Sequence, residues 1–249
     1  MSSAAEILPR ALSRQLLIYR LRQKVKRYGS QKLTELPAAL ERSMNGVKLR
    51  TLRQDVAEEF ERNPASAAKY AMPRQWLLLN ALRAGDLRLH ESTRLRVMDI
   101  GCGPAYFMAI ARALGHHSEG VDAPESCMTP VEQRVYSGLI DILGSSAYVN
   151  PLLIEKFVPL PFPEASYDLI TAFWICFNRH RQPDEWGVAE WRYFVEDATR
   201  RVRRGGRLFL DLNENPERYG ALRFYDAATR DYFRSVGTVD EGRVLVTRP

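Results

Sequence analysis

The chain has 249 residues, 45% of them apolar, which is enough for a packed core in one ordinary domain with an appendage. Its formal charge is +6, from 36 Lys and Arg against 30 Asp and Glu, and no apolar run approaches the ~20 residues that a membrane-spanning helix needs. Cys102, Cys127 and Cys176 are scattered and form no Cys-x-x-Cys pair, which excludes a disulfide framework and fits a reducing, cytoplasmic setting.

Near the start, Glu6, Arg10 and Arg14 accompany only a short apolar run, Leu16-Leu-Ile-Tyr19, so this region does not read as a secretory signal. Residues 10–32 hold Arg10, Arg14, Arg20, Arg22, Lys24, Lys26, Arg27 and Lys32 without one acid. Leu8, Leu12, Leu16 and Tyr19 recur between them at helical spacing, which predicts an amphipathic basic helix. Such a helix either packs on the rest of the protein with its charges in water or meets anionic lipid, RNA or a partner. Gly29-Ser30 and Asn45-Gly46 predict breaks. Leu49, Leu52, Val56 and Phe60 mark a further helical face, and Trp76, Leu79 and Leu82 mark another that begins near Pro73, a favoured first-turn residue. The reading is a region of about three helices over 1–66, with Asn63-Pro-Ala-Ser-Ala leading into a domain at 67–249.

The densest signal follows. Arg96-Val-Met-Asp99-Ile-Gly101-Cys102-Gly103-Pro-Ala-Tyr106 is an apolar run, predicted as a strand over 95–100, that turns at a pair of glycines into a helix over 107–114. Glycine permits a tight turn there and lets a ligand approach bare backbone. A second strand over 118–122 ends in Asp122, with Ala123 beside it, where a carboxylate can hold two ribose hydroxyls. A dinucleotide fingerprint would place a third glycine at position 106, and Tyr106 stands there, so a diphosphate is a poor fit. Further strands are predicted near 151–157, 167–173 and 207–212, then a helix over 221–235 and a hairpin of 235–239 and 243–247 around Asp240-Glu-Gly242. Alternating strands and helices predict an α/β fold with a doubly wound, mostly parallel sheet and an antiparallel C-terminal edge.

The glycine stretch resembles the signature of class I S-adenosylmethionine-dependent methyltransferases, and Ile175-Cys-Phe-Asn178 and Trp186-Gly-Val-Ala-Glu-Trp191 resemble segments of a subfamily of uncharacterised bacterial methyltransferase-like proteins. Leu160-Pro-Phe-Pro-Glu-Ala-Ser-Tyr-Asp168-Leu-Ile-Thr-Ala resembles the fourth-strand motif of that family. Val202-Arg-Arg-Gly205-Gly206-Arg-Leu-Phe-Leu resembles its entry into strand five. The resemblance implies a Rossmann-like fold and S-adenosyl-L-methionine as methyl donor. It places Asp99, Gly101, Cys102, Gly103 and Tyr106 against the amino acid part of the donor, and Asp122 and Ala123 at its ribose. Glu155, Lys156 and Phe157 would lie near the adenine, Phe173 near the methyl group, and Lys69 and Tyr70 near the methionine carboxylate. Ala105 departs from a pattern in which glycine is common, and would crowd the donor if its backbone needs a positive φ.

The resemblance also implies that the run after strand four, 174–191, selects the acceptor. It is rich in aromatic and hydrogen-bonding groups, and Trp174, Asn178 and Trp186 are its candidate substrate contacts. His180 is the candidate general base, with an ordinary pKa near ~6.5, and Asp184 and Glu185 are weaker ones. No metal site is expected: His116-His117 lacks a third clustered ligand and reads as surface. The function expected is in-line methyl transfer to a small or medium-sized acceptor molecule. The alternatives are an RNA methyltransferase using the basic helix on nucleic acid, and a non-catalytic cofactor-binding module.

Overall fold

The computed structural model describes residues 4–175, 177 and 185–249, with side chains from residue 13 onward. Contacts divide the chain into two compact units. A helical unit contains 1–94, 103–116 and 128–147, and a sheet unit contains 95–102, 117–127 and 148–249.

The helical unit begins with α1 (Ala4–Lys26), α2 (Gln31–Ser43), α3 (Gly46–Asp55) and α4 (Ala57–Arg62). A 3-10 turn at Ala67–Ala71 and α5 (Pro73–Asp86) follow, and α6 (Tyr106–Leu114) and α7 (Pro130–Ile142) complete the unit. The expected breaks form because polar side chains satisfy the exposed amides of the next helix. Ser30 Oγ accepts from Leu33 N at 3.2 Å, and Asn45 Oδ1 accepts from Val47 N and Lys48 N at 3.1 Å. The face expected to run unbroken from Leu49 to Phe60 is instead divided at Val56, whose φ of −115° and ψ of 7° leave the helix. Residues 63–65 are exposed, while Ala67 and Ala68 are already buried.

Close approaches bind these helices. Gly85 lets the Tyr28 ring lie on α5, since a Cβ there would sit 2.4 Å from it, and the Tyr28 hydroxyl bonds Asp86. Lys32 Nζ donates to Leu114 O at 2.9 Å, which joins the start of α2 to the end of α6. Leu52 of α3 faces Gly138 of α7, and Lys48 pairs with Asp141 at 2.6 Å.

The sheet unit holds β1 (Arg96–Ile100), β2 (His117–Asp122), β3 (Val149–Pro151), β4 (Tyr167–Phe173), β5 (Val202–Asp211), β6 (Thr238–Asp240) and β7 (Arg243–Thr247). Their order is β3-β2-β1-β4-β5-β7-β6, parallel from β3 to β5 and antiparallel where β7 pairs with β5 and β6. This is the Rossmann-like order of class I methyltransferase folds. The chain runs outward from β1 one way and restarts at β4 the other way, so a crevice opens at the carboxyl ends of β1 and β4.

Register explains the core. Met98, Ile170, Leu208 and Val246 lie in one row across the sheet, and Ile100, Ala172, Leu210 and Val244 in the next. All are buried, and with period-two alternation they share one face. Trp191, Phe194, Val195 and Ala198 of α8 (Val188–Arg201) and Phe233 of α10 (Ala227–Val236) belong to the same cluster.

Several expected boundaries are corrected. The strand expected at 151–157 occupies only Val149–Pro151, because Pro151 has no N–H to donate and the strand lies at the sheet edge. The strand expected from Arg207 starts at Val202 and passes through an irregularity in register. Gly206 allows it, since a Cβ there would come within 2.7 Å of Asp168 O. The helix expected from 221 begins at Ala227, where Asp226 Oδ1 accepts from Thr229 N at 2.7 Å, and a short α9 (Pro216–Tyr219) precedes it. The expected hairpin forms, and β7 lies inside β6 in the sheet.

One buried carboxylate ties α8 to the segment leading into β4. Asp197, 1% exposed, accepts from Leu160 N at 2.7 Å, Arg200 at 2.8 Å and Arg201 at 2.9 Å. Burial alone would raise its pKa; the bonds from Arg200, the Leu160 amide and Arg201 outweigh it and hold the carboxyl below its ordinary value. A group depressed in the folded state stabilises fully above its unfolded pKa and loses that contribution as pH falls through the folded value. Asp197→Asn should therefore cost about 1–3 kcal/mol at neutral pH. In urea melts the deficit should shrink below roughly pH 4, the ordinary carboxylate range, and a deficit unchanged by acid would contradict this role.

Candidate functional site

The site in the sheet unit starts from the exit of β1. Gly101 N and Cys102 N both donate to Val121 O, at 2.8 and 3.1 Å. To receive them on one carbonyl the chain bends sharply, and Gly101 takes φ +68°. A side chain there would be strained, and its Cβ would also lie 2.9 Å from Ile175 Cγ2. Gly103 follows at φ +50° and Ala105 at φ +60°. Ala105 thus adopts the positive φ that the sequence made a concern, at a cost for an L-residue of about 1–2 kcal/mol.

The two bonds to Val121 put the turn next to the end of β2, and so next to Asp122. Asp122 is half-buried, and its Oδ1 accepts from Ala123 N at 2.7 Å. Asp99 is 2% exposed and registered opposite Thr171 of β4, whose hydroxyl donates to it at 2.7 Å. The Cys102 thiol lies between these acids. Burial first, then the charges of Asp122 and Asp99, push its pKa well up, so it remains a protonated thiol. Cys102 is therefore unsuited to nucleophilic attack.

At the end of β3, Leu152 N donates to Asp122 O at 2.7 Å. The adenine-side position expected at Glu155, Lys156 and Phe157 falls closer to Leu152, because β3 ends early. Glu155 is exposed and Lys156 Nζ donates to Glu185 O at 3.2 Å. Phe157, at φ +60°, is exposed and edge-on to the Tyr193 ring at 5.7 Å.

Beyond β4 the chain is held at both ends of the aromatic run. Phe173 is buried with its ring 5.8 Å from Phe209. Trp174 follows at φ +53° and is 40% exposed. Its N–H donates to Asp211 O at 2.6 Å, and Asn213 Nδ2 donates to the carbonyls of Trp174 and Ile175 at 2.6 and 2.9 Å. At the other end the buried Glu185 carboxylate accepts from Asn215 Nδ2 at 2.9 Å and pairs with Arg218 at 2.5 Å. With those partners Glu185 is engaged as an anchor and is not a free base. Asn178, His180 and Asp184 lie outside the described residues.

Trp186 departs from expectation. It is 5% exposed and stacked on Phe177 at 3.8 Å, with Trp191 and Phe194 edge-on, so its ring belongs to the core. The His pair also divides. His117 is exposed at the start of β2, whereas His116 is buried with Nε2 2.9 Å from Leu89 O, and burial lowers its pKa.

In the helical unit, Tyr106 opens α6, is 2% exposed and donates to Tyr70 O at 2.7 Å. The Tyr70 ring lies 4.5 Å from Trp76 and 5.8 Å from Tyr136, and Lys69 Nζ is 5.3 Å from the Tyr70 centroid. Thr171 and Asn213 were not read as site residues. A polar residue inside the apolar run of β4 signalled the first; no local pattern signals the second.

No family model and no curated protein matches the chain. Among solved structures it is similar to YcgJ from Bacillus subtilis, at 24% identity and TM-score 0.36, over 50% of this chain and 48% of that one. It is also similar to the PH0226 protein from Pyrococcus horikoshii, at 13% identity and TM-score 0.48, over 68% and 89% of the two chains. A SAM-dependent methyltransferase from Aquifex aeolicus aligns at 16% identity and TM-score 0.41, over 65% and 86%. The chain spans about half the length of the first of these. The fold assignment rests on strand order and direction.

The Gly101 turn yields a test. Gly101→Ala should lower stability by at least about 1–2 kcal/mol, from backbone strain with the Ile175 contact added. Ile175→Ala, which removes the Cγ2 methyl that the added Cβ would meet but leaves the backbone strain, should reduce without abolishing the cost of Gly101→Ala in a double-mutant cycle read by thermal unfolding.

Proposed function

We propose that the chain is an S-adenosylmethionine-dependent methyltransferase that transfers its methyl group directly to a small or medium-sized acceptor. The observation that carries this reading is the placement of Asp122 beside the Gly101–Cys102 turn by the shared Val121 carbonyl, at a reversal of strand order. The residues fit a nucleoside with a short polar tail. A half-buried carboxylate faces two hydroxyls well, and a turn without side chain at Gly101 leaves room for close approach. A diphosphate fits poorly, since position 106 is tyrosine.

In this reading Asp122 holds the ribose hydroxyls, with Ala123 and Leu152 on the base side, and the turn from Gly101 receives the amino acid portion. Asp99 shapes the turn from beneath through Thr171. When bound, the donor's sulfonium supplies an electrophilic methyl carbon and leaves as a neutral thioether. The protein's task is mainly alignment of the acceptor with that carbon, which can contribute up to ~7–11 kcal/mol in favourable cases. Trp174, fixed by Asn213, provides an aromatic wall that keeps water from the reacting centre and attracts positive charge. The protonated Cys102 favours direct transfer over a covalent route through that thiol. A proton leaving an acceptor hydroxyl or amine passes to His180, the first candidate base in the sequence.

Asp122→Ala should weaken binding of both S-adenosylmethionine and S-adenosylhomocysteine at least about tenfold in calorimetry, from loss of charged hydrogen bonds. Unchanged affinity for both would remove Asp122 from the site and with it the main support for this function. Incubation with methyl-labelled donor and fractionated cell extract should place label in small molecules; label confined to RNA would reassign the acceptor.

A further inference from the structure

The exposed side of α1 is left unused by the proposed function. Leu21 and Val25 are buried, with Arg14, Ile18 and Tyr28 partly buried on the same side. At 100° per residue, Leu16, Tyr19, Arg20, Gln23, Lys26 and Arg27 lie on the opposite side, about two per turn. Leu16 is 49% exposed and Tyr19 59%, so two large apolar side chains stand in water at one end of the surface. Arg20, Lys26 and Arg27 are exposed along the rest of it, while Leu17 and Lys24 are exposed on the flank of the buried side. Among the described residues none of these four cations forms an ion pair. The nearby acids are engaged elsewhere: Glu35 with Gln31 at 2.8 Å, Glu41 with Arg74 at 3.0 Å and Asp86 with Tyr28.

We propose that this face of α1 docks on an anionic lipid surface, with Leu16 and Tyr19 at the headgroup boundary and Arg20, Lys26 and Arg27 on lipid phosphates. The combination selects the occupant. Exposed aliphatic side chains gain by leaving water for an acyl boundary, and cations flanking them gain from the negative surface potential. A second copy of the chain would bring like charges together. An RNA strand would satisfy the cations but leave Leu16 in water, and Tyr19 is a single ring where base stacking uses several. Docking would place the whole enzyme at a membrane surface without any segment crossing it; no described helix is long and apolar enough to do so.

The inference is independent of the methyl-transfer reading and is tested on the full chain. Sedimentation with phosphatidylcholine vesicles containing phosphatidylglycerol should retain the protein at low salt, and vesicles of phosphatidylcholine alone should not. Arg20→Glu with Arg27→Glu should reduce the bound fraction at least about tenfold. Leu16→Ser with Tyr19→Ser should reduce it by a similar factor. All four positions are solvent-exposed, so unchanged circular dichroism melting separates lost docking from lost fold. Arg20→Glu with Lys26→Glu provides a second charge variant if the first melts early. No retention on anionic vesicles, or retention that ignores either pair of substitutions, overturns the proposal. Binding to polyuridine that competes with vesicles and is indifferent to Leu16→Ser with Tyr19→Ser would assign the face to nucleic acid instead.

Discussion

The carbonyl of Val121 carries the geometry on which the candidate site depends. It accepts two consecutive amides, Gly101 and Cys102, and so draws the exit of β1 against the end of β2. Only a residue tolerant of φ +68° can make that bend, which is why the first glycine has a strict role. Once the bend is made, Asp122 stands beside the turn because it follows Val121 directly. Behind it, Asp99 and Thr171 join β1 to β4 through a buried hydrogen bond. That bond sits where water is excluded, so its loss would leave a desolvated acceptor, and the turn rests on a base that resists distortion.

A second set of constraints frames the run after β4. The chain leaving β5 supplies Asn213, Asn215 and Arg218, and these hold the two ends of the run from Trp174 to Trp186. Asn213 satisfies carbonyls that no strand partner reaches and so fixes Trp174 in a left-handed conformation. Glu185 is held by neighbours on one side and reached by Lys156 on its carbonyl from the other. The stacking of Trp186 on Phe177 adds an apolar anchor to the polar ones.

The helical unit follows a different economy. Its helices meet through small residues and capped ends, Gly85 under Tyr28, Gly138 under Leu52, Ser30 and Asn45 at the caps. Packing of α1 uses Leu21 and Val25 with Arg14, Ile18 and Tyr28 beside them, and leaves Leu16, Tyr19 and the cations of the opposite side in water.

Local chemistry made much of the protein legible from sequence alone. The glycine turn, Asp122, the order of strands and helices, the break at Gly29-Ser30 and the terminal hairpin are each encoded within a few residues, by periodicity and by the few side chains that fit a turn or a cap. The α/β class followed from that alternation. Tertiary structure decided what depends on residues distant in the chain. Val149–Pro151 stops short because the edge of the sheet gives a proline no second partner. Trp186 and His116 are buried because other segments fold over them, although their own neighbours read as exposed. Asn213 reaches Trp174 across 39 positions of sequence, and Glu185 reaches Asn215 across 30. Sequence pattern records which side of an element avoids water; it does not record which of many distant polar groups meets a given carbonyl, because that pairing exists only once the sheet has set their register.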